Sequence, residues 1–276
     1  MQLSCLPVSF FSDIIEGRMT IAQWAKMCAG MSLDALDLSI LFLSDRSLQA
    51  AVHTRKQVES AGMRVAMLTT YPDFTHPDAA QRQRELELEQ HAVALAAELG
   101  ASLVRVTAGQ AHPETSRRNG IAWAVEGLAR LVETTSHTGV RLVYENHSKP
   151  GAWTFTDFSQ PPDIFLEIFH QTASSNLGIN FDLGNATAFA QDPVELLQQV
   201  IHRVVSIHAS DTSARGRLQH VLLGTGATPY PELFACLRRH GWDGWICIEE
   251  ASYQGQPGVQ AAVNYVRRAW EEASNA

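Results

Sequence analysis

Four short apolar runs in the second half of the chain each end in a side chain able to bind a metal: Val-Tyr-Glu145, Asn-Phe-Asp182, Ser-Ile-His208 and Cys-Ile-Glu249. Side chains alternate along a strand, so the residues sharing each candidate's face two positions earlier are Val143, Asn180, Ser206 and Cys247. The opposite face carries Leu142 and Tyr144, Ile179 and Phe181, Val205 and Ile207, and Ile246 and Ile248. Those bulky apolar residues belong against an outer layer, which turns Glu145, Asp182, His208 and Glu249 toward one common mouth. The same parity selects Glu249 over Glu250. Three carboxylates and an imidazole facing one another repel strongly unless a cation lies among them. A ligand set of mostly hard oxygen with one nitrogen suits one divalent ion, Mn²⁺ first, with Mg²⁺ or Co²⁺ as alternatives.

The elements that position these residues follow from periodicity. Apolar runs alternate with helical segments along the whole chain, with strands read near residues 3–8, 35–38, 64–69, 103–107, 140–145, 178–182, 204–208 and 245–249. Gln81–Leu99 reads as a helix stopped by Gly100, and Pro231–His240 as one begun by proline and closed before Gly241. Eight β-α units in 276 residues predict a single-domain (β/α)8 TIM barrel spanning 1–276, since such barrels commonly run to about 250 residues. An open doubly wound sheet is the fallback, and no GxGxxG after the first strand supports it. The loops 71–78, 109–118 and 147–160 are long, rich in Pro, Gly, Trp and charge, and belong to the active face of such a barrel.

Composition narrows the partners. The chain is 45% hydrophobic and 18% charged, and no run approaches the roughly 18 apolar residues of a membrane span. A net charge of −8 argues against a whole-molecule grip on nucleic acid or anionic lipid and leaves small molecules as ligands. The first twenty residues do not read as a signal peptide, which predicts a cytoplasmic location. The four cysteines form no CxxC pair, and only Lys26, Lys56 and Lys149 are lysines, so Schiff-base chemistry would rest on Lys149.

The stretches Glu145-Asn146-His147, Phe181-Asp182-Leu183-Gly184-Asn185, His208-Ala209-Ser210-Asp211, Gly224-Thr225-Gly226 and Gly241-Trp242-Asp243-Gly244-Trp245 together resemble the xylose isomerase-like sugar phosphate isomerase/epimerase family. The resemblance covers nearly the whole chain and implies a (β/α)8 barrel with one divalent metal held by Glu145, Asp182, His208 and Glu249. It also implies a small sugar or polyol substrate, while assembly into a homo-oligomer is left open. Sugar 3-epimerases of this superfamily usually carry histidine and arginine where this chain has Asn185 and Ala214, and Lys-Asp where it has Ser210-Asp211. Arg215 or Arg217 could supply the arginine from a shifted loop.

A divalent ion on two adjacent sugar oxygens acidifies the carbon beside the carbonyl and stabilises the enediolate. Glu145 and Glu249, on opposite sides of the ion, could then remove and return a proton and invert that carbon. One base acting on one face would give aldose–ketose isomerisation. A leaving group β to the carbanion would make the enzyme a lyase or dehydratase acting on an oxidised sugar, an inosose or a 3-keto-glycoside. His147, Trp153, Asn185, Arg215, Arg217, Asp37 and Arg105 are candidate substrate contacts. A three-metal DNA-repair site would need more histidines and a basic groove, and a non-catalytic sugar binder would need a broken ligand set.

Overall fold

The computed structural model describes residues 1–148 and 150–273. In chain order the elements are β1 (Gln2–Leu6), α1 (Phe11–Ile15), α2 (Ile21–Ala29), β2 (Leu36–Ser39), α3 (Leu48–Ser60), β3 (Val65–Thr69), α4 (Ala79–Leu99), β4 (Leu103–Val106), α5 (Arg117–Thr135) and β5 (Arg141–Glu145). There follow α6 (Pro162–Gln171), β6 (Gly178–Asp182), α7 (Leu183–Phe189), α8 (Pro193–Val200), β7 (Val204–Ala209), β8 (Thr212–Ala214), β9 (Arg217–His220), α9 (Tyr230–Arg239), β10 (Trp245–Glu249) and α10 (Gly255–Glu272).

Eight of these strands pair in parallel in the order β1-β10-β7-β6-β5-β4-β3-β2. The two ends of that sheet meet where the amides of Asp34 and Ala35 both donate to the Leu3 carbonyl, at 2.9 and 3.2 Å. Ser4 Oγ donates to Asp37 Oδ2 across the same seam at 2.7 Å. The result is a nearly closed TIM barrel with helices outside, as the periodicity predicts. The first strand stops at Leu6, earlier than expected, because Pro7 has no amide to donate and the chain turns into a short 3-10 helix at Val8–Phe10.

Parity holds around the wall. Leu142, Tyr144, Ile179, Phe181, Ile207, Ile246 and Ile248 are buried in the large core shared with the helices. Val143 and Cys247 join Met67 and Leu103 in a small cluster inside the barrel. Val205 departs from the expectation: it packs against that inner cluster. Ile179 pairs with Val204 and Asn180 with Ser206, which leaves Val205 as the extra residue of a bulge whose side chain escapes strict alternation.

The helix α4 begins two residues before the predicted start because Asp78 caps it, accepting from the Ala80 amide at 2.9 Å, and it ends at Gly100 with φ +77°. Its inner face buries Leu86, Val93, Ala96 and also Glu89, whose carboxyl burial pushes up to about 8. A raised carboxyl contributes stability that is complete below its unfolded value and lost as pH rises through the folded one. Glu89→Gln should therefore match the wild type near pH 5 and exceed its melting temperature on the order of 5 °C at pH 9. Parallel thermal scans at the two pH values check this, and a constant difference would refute it.

Candidate metal centre

The C-terminal ends of β5, β6 and β7 bring Glu145, Asp182 and His208 together. Each offers a ligand atom within 4.8 Å of the others, and all three are buried. His208 faces the cluster through Nδ1, which donates to Glu145 Oε1 at 2.8 Å and lies 4.0 Å from Asp182 Oδ2. From β10, Glu249 Oε1 reaches to 3.8 Å of the same nitrogen; its side chain is 16% exposed and so stands at the edge toward solvent. Strands β7 and β6 lie between β10 and β5, so Glu249 and Glu145 flank the cluster from opposite sides.

Without a cation the cluster balances its charge only by taking up protons. Burial, Glu249 and Glu145 together push the Asp182 carboxyl well above the usual carboxylate range. Burial would lower the His208 imidazole, but Glu145, Glu249 and Asp182 carry it to about 9. Burial likewise opposes ionisation of Glu145, and Arg105 and His208 overcome it to hold that carboxyl at about 2. Asp182 Oδ2 is buried with no hydrogen-bond partner. An unpartnered carboxylate oxygen, two further carboxylates and one imidazole nitrogen at these distances fit a hard divalent cation.

The residues around the cluster explain its alignment. Asn146 grips the Asp182 backbone from both sides: its Nδ2 donates to the Asp182 carbonyl at 2.9 Å, and its Oδ1 accepts from the Asp182 amide at 2.8 Å. Asp182 is also the N-cap of α7. Its Oδ1 accepts from the Asn185 amide at 2.6 Å and from Ser210 Oγ at 2.9 Å, which leaves Oδ2 free for the cluster. Ser210 comes this close because residue 184 is glycine; a Cβ there would lie 2.2 Å from Ser210 Oγ. Asp211 accepts from the amides of Gly224, Gly226 and Thr228 and so folds the Gly224-Thr225-Gly226 turn. Sequence reasoning assigned no role to Asn146 or Ser210, although each adjoins or nearly adjoins a ligand in the motifs quoted above.

The predicted substrate contacts divide into two groups. Arg105 is fully within the site: its Nε pairs with Glu145 Oε2 at 2.8 Å, its Nη1 donates to the Thr70 carbonyl at 2.9 Å, and its guanidinium lies 4.6 Å from the centre of the Tyr71 ring. Asp37 is buried inside the barrel beside Ser4, and burial lifts its carboxyl to about 6. His147 sits between the rings of Tyr71 and Trp153, with Nδ1 3.6 Å from Asp157 Oδ2.

The remaining three are placed otherwise. Asn185 is buried in a small cleft with Asn146 and His147, and its Oδ1 has no hydrogen-bond partner. Arg215 is exposed in the turn of a β8–β9 hairpin that periodicity did not reveal, and its Nη2 donates to the carbonyls of Ala190 and Gln191 at the end of α7. Arg217 is exposed at the start of β9. The structure thus brings neither arginine into the cluster. Lys149 lies outside the described residues.

The three long loops brace one another. Asp73 accepts from the Gln110 amide, from Gln110 Nε2 and from His112 Nε2 at 2.9, 3.0 and 2.7 Å. Gln110 Oε1 in turn accepts from the amides of Thr154 and Phe155, which ties the loop carrying Trp153 across the mouth.

Among the described residues no helix is long and apolar enough to cross a membrane. The family described as xylose isomerase-like TIM barrel matches residues 26–269. An L-ribulose-5-phosphate 3-epimerase of Escherichia coli is 26% identical over 260 residues, covering 88% of this chain and 87% of that one. An inosose dehydratase of Geobacillus kaustophilus is 26% identical over 163 residues, 53% of this chain and 50% of the other, so the match spans half of that relative's length. The crystal structure of a D-tagatose 3-epimerase-like protein superposes with a TM-score of 0.79 at 20% identity, covering 100% of this chain and 99% of that chain.

Proposed function

The chain belongs to the xylose isomerase-like TIM-barrel family, and from that membership we propose a divalent-metal-dependent sugar isomerase or epimerase that abstracts a proton next to a carbonyl. The observation that carries the reading is the buried Glu145–Asp182–His208 cluster with Glu249 at its edge. These four residues would hold the ion, with Mn²⁺ the best match to their donor set. Bound there, a divalent ion acidifies the carbon beside a sugar carbonyl and stabilises the resulting enediolate.

The chain's own groups do the rest. Glu145, on the opposite flank from Glu249 and held ionised by Arg105 on its second oxygen, removes the proton. Glu249, reaching toward solvent and so able to take up a proton from water, returns one from the other face when the outcome is inversion. Arg105 keeps Glu145 ionised and fixed in direction, and Asn146 and Ser210 hold Asp182. Tyr71, His147 and Trp153 line the approach to the cluster and shield it from bulk water.

A second reading, elimination from an oxidised sugar or inosose, is favoured by Asn185 and by the hairpin that carries Ala214, Arg215 and Arg217 away from the cluster. The similarity to an inosose dehydratase supports it. Turnover in D₂O tests the shared step: substrate should acquire deuterium at a carbon next to the carbonyl, and turnover without exchange under conditions that regenerate substrate would point to hydride transfer. Free ketohexoses should react weakly, and oxidised sugars or inososes better. Efficient C3 epimerisation of fructose or tagatose would reverse that order of preference.

A further inference from the structure

Beside the metal cluster, a cavity of about 210 Å³ opens between α4, the loop after β2 and the tip of the loop after β5. Two of its walls are aromatic. Tyr71 lines the cavity and also covers Arg105, the partner of Glu145; Trp153 lines the cavity and also faces His147. The cavity is therefore one aromatic layer away from the reacting groups. Its floor is polar: Glu89, only 6% exposed, lines it. Leu88 lines the same space from α4 and adds an apolar side chain to it.

We propose that this cavity is a second ring-binding subsite that takes a neutral, hydroxylated six-membered ring, so that the substrate is a glycoside or disaccharide with its reacting ring at the metal cluster. The substrate class rests on the function proposed above; the ring site rests on the cavity itself. A pyranose ring presents an apolar C–H face and a rim of hydroxyls. Tyr71, Trp153 and Leu88 match the face, and aromatic side chains with one wet edge are suited to that contact. Glu89 matches the rim: it lines the cavity, and burial pushes its carboxyl up to about 8, so at neutral pH it is a neutral O–H donor as well as an acceptor for a ring hydroxyl. The space displaces roughly seven waters, the room of a single substituted ring. Glu85 and Arg46 at the rim are of opposite charge, which favours an uncharged occupant over an anion.

Protein labelled with 5-fluorotryptophan, its Trp153 resonance assigned by Trp153→Phe, provides the test. Methyl maltoside and methyl glucoside, neither of which has a free carbonyl to turn over, are titrated against the Mg²⁺-loaded and the metal-stripped protein. The Trp153 resonance is expected to saturate at a maltoside concentration at least tenfold below that of the glucoside in the Mg²⁺-loaded protein. Glu89→Leu and Ala152→Phe should reduce that advantage to less than twofold, and Glu89→Gln should keep it. Ala152 is exposed on the loop, so its variant decides the matter even where Glu89→Leu does not fold. Equal titration by the two glycosides, a silent Trp153 resonance, or an advantage untouched by Ala152→Phe would overturn the subsite. Mg²⁺ binding measured by calorimetry on the same samples separates the two readings. Ion binding without the maltoside response overturns the subsite alone, whereas a maltoside response without ion binding upholds the ring site and removes the substrate class built on the metal centre.

Discussion

Asp182→Asn and His208→Ala are each expected to take the divalent-ion content of the purified protein from about one per chain to none, with activity lost and not restored by added Mn²⁺. Both residues lie at the centre of the cluster: Asp182 Oδ2 has no hydrogen-bond partner of its own, and His208 is the nitrogen donor of the Glu145–Asp182–His208 group. Residues that only hold a ligand in place should do less. Asn146→Ala and Ser210→Ala are expected to weaken the ion on the order of 10- to 100-fold.

Thermal unfolding separates the charge argument from the ligand argument. In excess ion the wild type gains about 4 kcal/mol at a thousandfold excess over its dissociation constant, and Asp182→Asn gains nothing. Stripped of ion the order should reverse. Because the Asp182 carboxyl is raised in the folded state, its contribution is present below the ordinary carboxylate range and lost as pH rises toward the folded value. At neutral pH the asparagine carries no such burden, so the stripped variant melts higher than the stripped wild type. Full ion occupancy in both variants by metal analysis would remove the ligand assignment.

The second large effect separates binding from chemistry. Glu249→Gln should lower turnover by about a thousandfold or more, beyond the hundredfold typical of a positioning residue, while the protein still binds its ion. An amide oxygen can remain a ligand but cannot carry a proton, and Glu249 is the carboxylate of the set that reaches solvent. Deuterium incorporation should fall in step with turnover. Glu145→Gln should behave differently, because it also strips Arg105 of its partner at 2.8 Å and leaves a buried guanidinium unpaired, at a cost of about 3–5 kcal/mol. Its signature is loss of stability together with loss of activity. Turnover of Glu249→Gln within tenfold of the wild type would exclude it as the proton carrier.

Glu145, Asp182, His208 and Glu249 were legible in the chain because inward and outward positions alternate with period two along a strand, and that rule acts between near neighbours. The same local rule separated Glu249 from Glu250 and placed Val143 and Cys247 inside the barrel. It failed at Val205, where a bulge is set by pairing with a strand more than twenty residues away.

What only the tertiary structure decided were the partners. That Arg105 completes Glu145, that Asn146 clamps Asp182, and that Glu89 lies beside Tyr71 and Trp153 depend on elements brought together across 18 to 64 positions of chain. Arg215 and Arg217 show the limit most directly. Their spacing from His208 suggested a route into the mouth, but Thr212–His220 pairs with itself as a hairpin, and Gly216 with φ +82° turns it onto α7, where its amide donates to the Ala188 carbonyl at 2.7 Å. Spacing along a chain records which residues are near in sequence; the direction of a long charged side chain is set by whichever backbone carbonyls the packed helices leave within its reach.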